Sequence, residues 1–160
     1  MVTRLIQILV VLILGWANLV VASDHSSRGT SADALEVARE SLGRLSLGRL
    51  SLRERSHGRP RARAEVLLDG VVVARLLVDP RTGAFLAEEE RSQTSGDSLD
   101  GSALRAAVDR SLRQIEIGEW TWPTERGRAW GVPLKYQGRV VGTLKVDPQK
   151  GPLPRESDED

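Results

Sequence analysis

The chain has 160 residues and no cysteine. That excludes disulfide staples, thiolate nucleophiles and cysteine-type zinc sites. Histidine is almost as scarce, with His25 and His57 the only two. A Ser-His-Asp triad or a multi-histidine metal site has nearly nothing to be built from. There is no surplus of one charge either: 23 basic and 22 acidic side chains leave a formal net charge of +1. Nucleic-acid binders carry a strong basic surplus, so no nucleic acid is expected as a partner. No glycine-rich phosphate loop, nucleophile elbow or metal-ligand spacing occurs. The residues therefore name no catalytic group, no cofactor-binding group and no metal ligand, and the chain reads as a non-enzyme. Lysine stands only at 135, 145 and 150, so twenty of the 23 basic residues are arginine, which we read as compositional bias.

Residues 1–22, MVTRLIQILVVLILGWANLVVA, have the pattern of a secretory signal peptide. Arg4 is the positive n-region, Leu5–Leu14 is apolar apart from Gln7, and Val20-Val21-Ala22 precedes Ser23 as a cleavage site would. The competing reading is an uncleaved N-terminal membrane anchor of 18 residues from Leu5 to Ala22, interrupted by Gln7, Gly15 and Asn18. Either way the expected location is exported, periplasmic or secreted, with membrane contact only through this segment. Without disulfides, an exported fold must rest on its hydrophobic core.

The rest of the chain repeats itself. Shifted by 68 residues, DGVVVARLLVDPRTG (69–83) falls on QGRVVGTLKVDPQKG (137–151) with eight of 15 positions identical. The matches lie at turns and at alternating apolar positions, as a duplicated supersecondary unit requires. In the first half, Ser31-Ala-Asp33 offers helix caps and Leu35, Ala38 and Leu42 recur at helical spacing. A strand is expected near Leu50–Arg55, then a hairpin of Arg61–Leu68 and Val71–Val78 about Asp69-Gly70. In the second half, a helix opens at Asp100-Gly-Ser102, with strands near Ile115–Trp122, Arg128–Tyr136 and Arg139–Val146. The run SLGRLSLGRLSL (41–52) has a five-residue period and reads as a duplicated linker. The expected organisation is a signal peptide (1–22), a tail (23–30), a first repeat (31–90), a linker (91–100), a second repeat (101–154) and an acidic tail (155–160). The expected fold class is α+β, two tandem αβββ units, each a helix packed on its own small antiparallel sheet.

Asp-Pro-x-x-Gly closes both third strands, as Asp79, Pro80 and Gly83 and as Asp147, Pro148 and Gly151. Asp can bond the amides ahead of it, Pro presets φ, and Gly accepts a positive φ. Structural turn-capping outweighs a metal or acid-pair role for Asp79 and Asp147. The stretches VLLDGVVVARLLVDPRTGAFL and VPLKYQGRVVGTLKVDPQKGPLP resemble the PepSY domain signature over residues 31–90 and 101–154. The resemblance implies a helix before an antiparallel sheet, and an extracytoplasmic module that binds or restrains peptidases. With no peptidase domain downstream in this sequence, such an action is expected in trans. The second copy departs from the pattern, since Pro152-Leu153-Pro154 replaces the apolar return Ala84-Phe85-Leu86.

Strand alternation places Ala62, Ala64, Val66 and Leu68 on one face with Val72, Ala74, Leu76 and Val78. The counterparts are Trp130, Val132, Leu134 and Tyr136, with Val140, Gly142, Leu144 and Val146. Arg53, Arg55, Arg61 and Arg63 fall on the opposite face of the first sheet, a candidate patch for a carboxylate-rich peptide or lipid head group, weighed against a merely solvated face. Trp120 and Trp122 share a strand face; they are candidate hot spots, although core packing is the favoured reading. His57 reads as a solvated turn residue. The expected function is that of an exported, non-catalytic binding or regulatory protein. Its partner would be a protein, such as an envelope peptidase or sensor, engaged through a sheet face or edge. The alternative is a periplasmic small-ligand sensor or envelope structural module.

Overall fold

The computed structural model describes residues 29–53, 61–87, 97–124 and 127–155. The signal segment, Arg55, His57, most of the linker and most of the acidic tail lie outside these residues. Helix α1 (Ser31–Ser41) is followed by a 3-10 turn (Leu42–Arg44). Then come β1 (Leu45–Arg53), β2 (Arg61–Leu68), β3 (Val71–Val78) and β4 (Phe85–Leu86). After α2 (Gly101–Leu112) come β5 (Ile115–Ile117), β6 (Trp122–Pro123), β7 (Trp130–Tyr136), β8 (Arg139–Asp147) and β9 (Gly151–Pro152). All strand pairs are antiparallel. One sheet has the order β1-β2-β3-β4 and the other β5-β7-β8-β9, with β6 also on β7.

Thr30, not Ser31, caps α1: its hydroxyl accepts from the Asp33 amide at 3.3 Å while the Thr30 amide donates to Asp33 Oδ2 at 2.6 Å. Asp100 caps α2, accepting from the Ala103 amide at 2.7 Å and the Ser102 hydroxyl at 2.8 Å.

The two hairpins are built alike. Asp69-Gly70 has φ of 50° and 84°, and Gln137-Gly138 has φ of 50° and 77°, the left-handed pair that a two-residue turn needs. Just beyond each turn an extra residue enters the outgoing strand. Val66 faces Ala74 and the next pair is Leu67 with Val72; Leu134 faces Gly142 and the next pair is Lys135 with Val140. Val73 and Val141 are the inserted residues, and both are buried. This corrects the expected alternation. Val72 pairs with the half-buried Leu67, and Val73 takes the core place assigned to it.

The first edge strand is longer than expected, because the five-residue repeat is strand and not linker. A five-residue period would turn successive leucines to opposite faces. The irregularity between Leu47 and Leu50 absorbs the odd residue, so Leu45, Leu47, Leu50 and Leu52 face Leu68, Val66, Ala64 and Ala62 in turn. In the second half the same edge is interrupted outright. Ile115 and Ile117 face Tyr136 and Leu134, then the chain leaves at Gly118–Thr121 and returns with Trp122 facing Gly131.

The expected fold class, two tandem αβββ units each with its own helix, is overturned. The chain is mostly β, and the helices are exchanged. Helix α1 lies over β5, β7, β8 and β9 of the second sheet, and α2 lies against β1 of the first. Ala107 of α2 also fits against Gly83, where a Cβ would overlap it and where φ is 72°. β3 and β8 lie together, with the Leu76 side chain in the space a Cβ would fill at Gly142. The amide of Arg155 donates to the carbonyl of Val72 at 2.8 Å. The buried apolar residues therefore form one cluster, from Ala34 and Ala38 through Val66, Leu76 and Phe85 to Leu104, Leu134 and Val146. Phe85 is fully buried and meets the Tyr136 ring edge-on at 5.6 Å, and the Tyr136 hydroxyl lies 3.3 Å from Ser111 Oγ.

A single shared core predicts a single transition. Phe85→Ala should cost roughly 3–5 kcal/mol and shift the whole urea unfolding curve, read by circular dichroism and by tryptophan emission together; two separated transitions would contradict the shared core. The helix caps predict an acid limb. Backbone and side-chain hydrogen bonds from Thr30 hold Asp33 below the ordinary carboxylate pKa, and those from Ala103 and Ser102 do the same for Asp100. A lowered folded pKa gives stability that is complete above the unfolded carboxylate range and lost as pH falls through the folded value. Asp33→Asn with Asp100→Asn should flatten the fall in urea midpoint below about pH 4.

Candidate functional site

The turn residues are placed first. Asp79 Oδ1 accepts from the Arg81 amide at 3.0 Å, and the Asp79 carbonyl accepts from the Gly83 amide at 2.8 Å. Asp147 Oδ1 accepts from the amides of Gln149 at 2.9 Å and Lys150 at 3.2 Å. Pro80 and Pro148 follow in each turn, and Gly83 and Gly151 have φ of 72° and 92°. Each aspartate accepts from backbone amides of its own turn. A two-residue return strand follows in both halves, Phe85–Leu86 in one and Gly151–Pro152 in the other. Among the described residues no group of three or more His, Asp or Glu is placed to hold a metal ion.

The duplicated framework makes the outward faces comparable row by row. Inward rows stay apolar in both copies: Ala64 and Val132, Val66 and Leu134, Leu76 and Leu144, and Val78 and Val146 are all buried. Outward rows differ in chemistry. In the first sheet Ser51, Arg63 and Leu77 form a row across β1, β2 and β3. The equivalent row in the second sheet is Trp122, Gly131 and Lys145. The next outward row is Glu65 with Arg75, an ion pair at 3.6 Å, and its equivalent is Pro133 with Thr143.

Of the predicted arginines, Arg53 and Arg61 are register partners at the end of β1 and β2, next to the Ser51–Arg63 pair. Arg63 is exposed, and Arg55 lies outside the described residues. Three of the four therefore meet at one end of the first sheet. β1 is also the edge of its sheet. Its first half is guarded: the Arg105 guanidinium of α2 donates to the carbonyls of Gly48 at 3.1 Å and Leu47 at 3.2 Å. That is how an irregular edge is blunted against unwanted pairing. Its second half ends with Leu52, whose relative exposure is 52%.

The core reading of Trp120 and Trp122 is overturned, since they are 50% and 40% exposed. The reason is the row they occupy. Gly131 alternates with the buried Val132, and the Trp122 ring fills the space of the missing Gly131 side chain, so it lies on the outward face. Such a ring over a strand glycine shields the backbone that glycine leaves bare. Trp120 is joined by Lys135, whose Nζ sits 5.9 Å from the ring centroid, at the outer limit of a cation–π contact. Trp130 packs against the core, and its Nε1 donates to the Gly29 carbonyl at 3.2 Å. Sequence reasoning missed Gly131, Lys135, Lys145 and Arg105. The 68-residue alignment of Arg63 on Gly131 and Leu77 on Lys145 was the signal available for two of them.

No family model, curated protein or solved structure matches this chain.

Any side chain at 131 must displace the Trp122 ring. Gly131→Val should shift tryptophan emission to the red and increase acrylamide quenching, while the far-ultraviolet dichroism stays that of the parent. Unchanged emission would show that Trp122 does not rest on Gly131.

Proposed function

We propose that this chain is an exported, non-catalytic binding and regulatory protein that takes an extended, acidic segment of a protein partner along the open half of β1. The observation that carries the reading is the Arg53–Arg61 register pair beside Ser51–Arg63 at the end of an edge strand. An added strand would pair with the main chain of this edge, and carboxylates on it would meet the exposed Arg63. The guarded first half of β1 supports this division, since Arg105 occupies carbonyls there. The N-terminal apolar segment supports export, and the PepSY-like hairpins favour a peptidase of the cell envelope as the partner, acted on in trans.

The experiment is capture of envelope peptidases from a native membrane and periplasmic extract on the immobilised chain, followed by a peptidase assay with the captured enzyme. The wild-type chain should retain a peptidase and change its turnover. Leu52→Glu with Arg63→Glu should weaken that binding at least tenfold with an unchanged urea midpoint. Failure to retain any peptidase, or equal retention by the double variant, would contradict the proposal.

A further inference from the structure

The two faces of the second sheet are covered to different extents. Helix α1 lies over the face that carries the buried Val132, Leu134, Leu144 and Val146. On the other face Trp122 and Lys145 are exposed on either side of the covered Gly131, the next row holds the buried Pro133 and half-buried Thr143, and the third holds exposed Glu116 and Val140 with half-buried Lys135 between them. Among the described residues five large apolar side chains are exposed, and three of them, Trp120, Trp122 and Val140, belong to this side of the molecule. Two of the three lysines in the chain, Lys135 and Lys145, stand among them. Glu116 faces Lys135 across β5 and β7, and Glu119 is exposed in the loop beside Trp120, so the aromatic rings and not net charge dominate the face.

The way the chain enters the fold bears on what covers this face. The Gly29 carbonyl is tied to Trp130, the β7 neighbour of Gly131 and the register partner of Pro123. Only Ser23–Arg28 separate Gly29 from Ala22, the last residue of the 18-residue apolar run. Six residues reach at most roughly 20 Å when extended. In a chain that keeps residues 5–22 in a bilayer, as in the anchor reading, the Trp130 end of the second sheet is thus held within that distance of the lipid headgroups. Tethering at such range makes even a weak surface contact persist.

We infer that the outward face of the second sheet docks on the phospholipid surface of the membrane that holds residues 5–22. Indole rings are amphipathic and settle at headgroup depth, and lysine stems lie along apolar surface while the ammonium reaches lipid phosphates. The face needs no pocket for this, only exposed Trp120, Trp122 and Val140 with cations among them. Docking there leaves β1, at the edge of the other sheet, free for a partner.

The absence of cysteine makes the test site-specific. The full chain carrying Thr143→Cys, or Ser46→Cys on β1 as reference, is labelled with an environment-sensitive fluorophore and inserted into phosphatidylcholine vesicles containing one quarter phosphatidylglycerol. Quenching by headgroup-nitroxide lipid is then measured. The probe at 143 should be quenched at least threefold more than the probe at 46, and Trp120→Ala with Trp122→Ala should bring it down to the reference. Equal quenching at 143 and 46 would overturn the inference. So would a probe at 143 shielded from aqueous iodide but not quenched by lipid, which would mean that a protein or a second copy covers the face.

Discussion

A small sheet with one apolar face needs a lid, and in this chain the lid of each sheet is delivered by the other half. Helix α1 belongs in sequence to the first copy but covers the second sheet, and α2 reaches back to the first. Small residues allow the close approaches between the halves, Gly83 against Ala107 of α2 and Gly142 under Leu76 where β3 meets β8. Everything else follows from the exchange. The two cores merge into one, with Phe85 and Tyr136 meeting ring to ring across the boundary. A chain with no disulfide thereby gains a core larger than either half could build, which is the condition for a small domain to be stable at all.

The hairpins were legible because their determinants are local. Asp69-Gly70 and Gln137-Gly138 take the positive φ values that only a few residue pairs accept easily, and the 68-residue shift exposes the second turn through the first. The helix exchange was not legible. Ala34, Ala38 and Ser41 on α1, like Ala107, Val108 and Ser111 on α2, announce a buried small-residue face but not the sheet that buries it. Periodicity reads one element at a time. The same limit hid β1, whose Leu-Ser-Leu-Gly-Arg period is odd and becomes a strand only once an irregularity at Gly48-Arg49 restores the leucines to one face. It also misplaced Val72 and Val73, which the inserted residue exchanges. The tryptophans were misjudged for another reason. Indole size argued for the core, while the outward row was fixed by Gly131, a residue without a side chain to announce it.

The duplication separates what the fold needs from what it leaves open. Core rows keep apolar pairs in both copies, whereas the outward rows diverge into arginine on one sheet and tryptophan with lysine on the other. Packing constrains the inner positions strictly, because each lost methylene leaves a void. No such constraint acts outside, so the outward chemistry is where the two copies could take separate roles. An edge strand flanked by arginines and a flat aromatic face suit two different contacts: an acidic polypeptide strand and an interface of lipid and water.

The interlocked core is the claim on which both surfaces depend, since it fixes which rows of each sheet point inward. It is tested most directly by cutting the chain between the copies. Residues 23–94 and 95–160 would be prepared separately and examined by heteronuclear NMR with light scattering, alone and mixed. The account predicts that neither piece gives a folded monomer, and that dispersed resonances emerge only in species containing two pieces, with a one-to-one complex in the mixture. A dispersed spectrum from either piece as a monomer would contradict it.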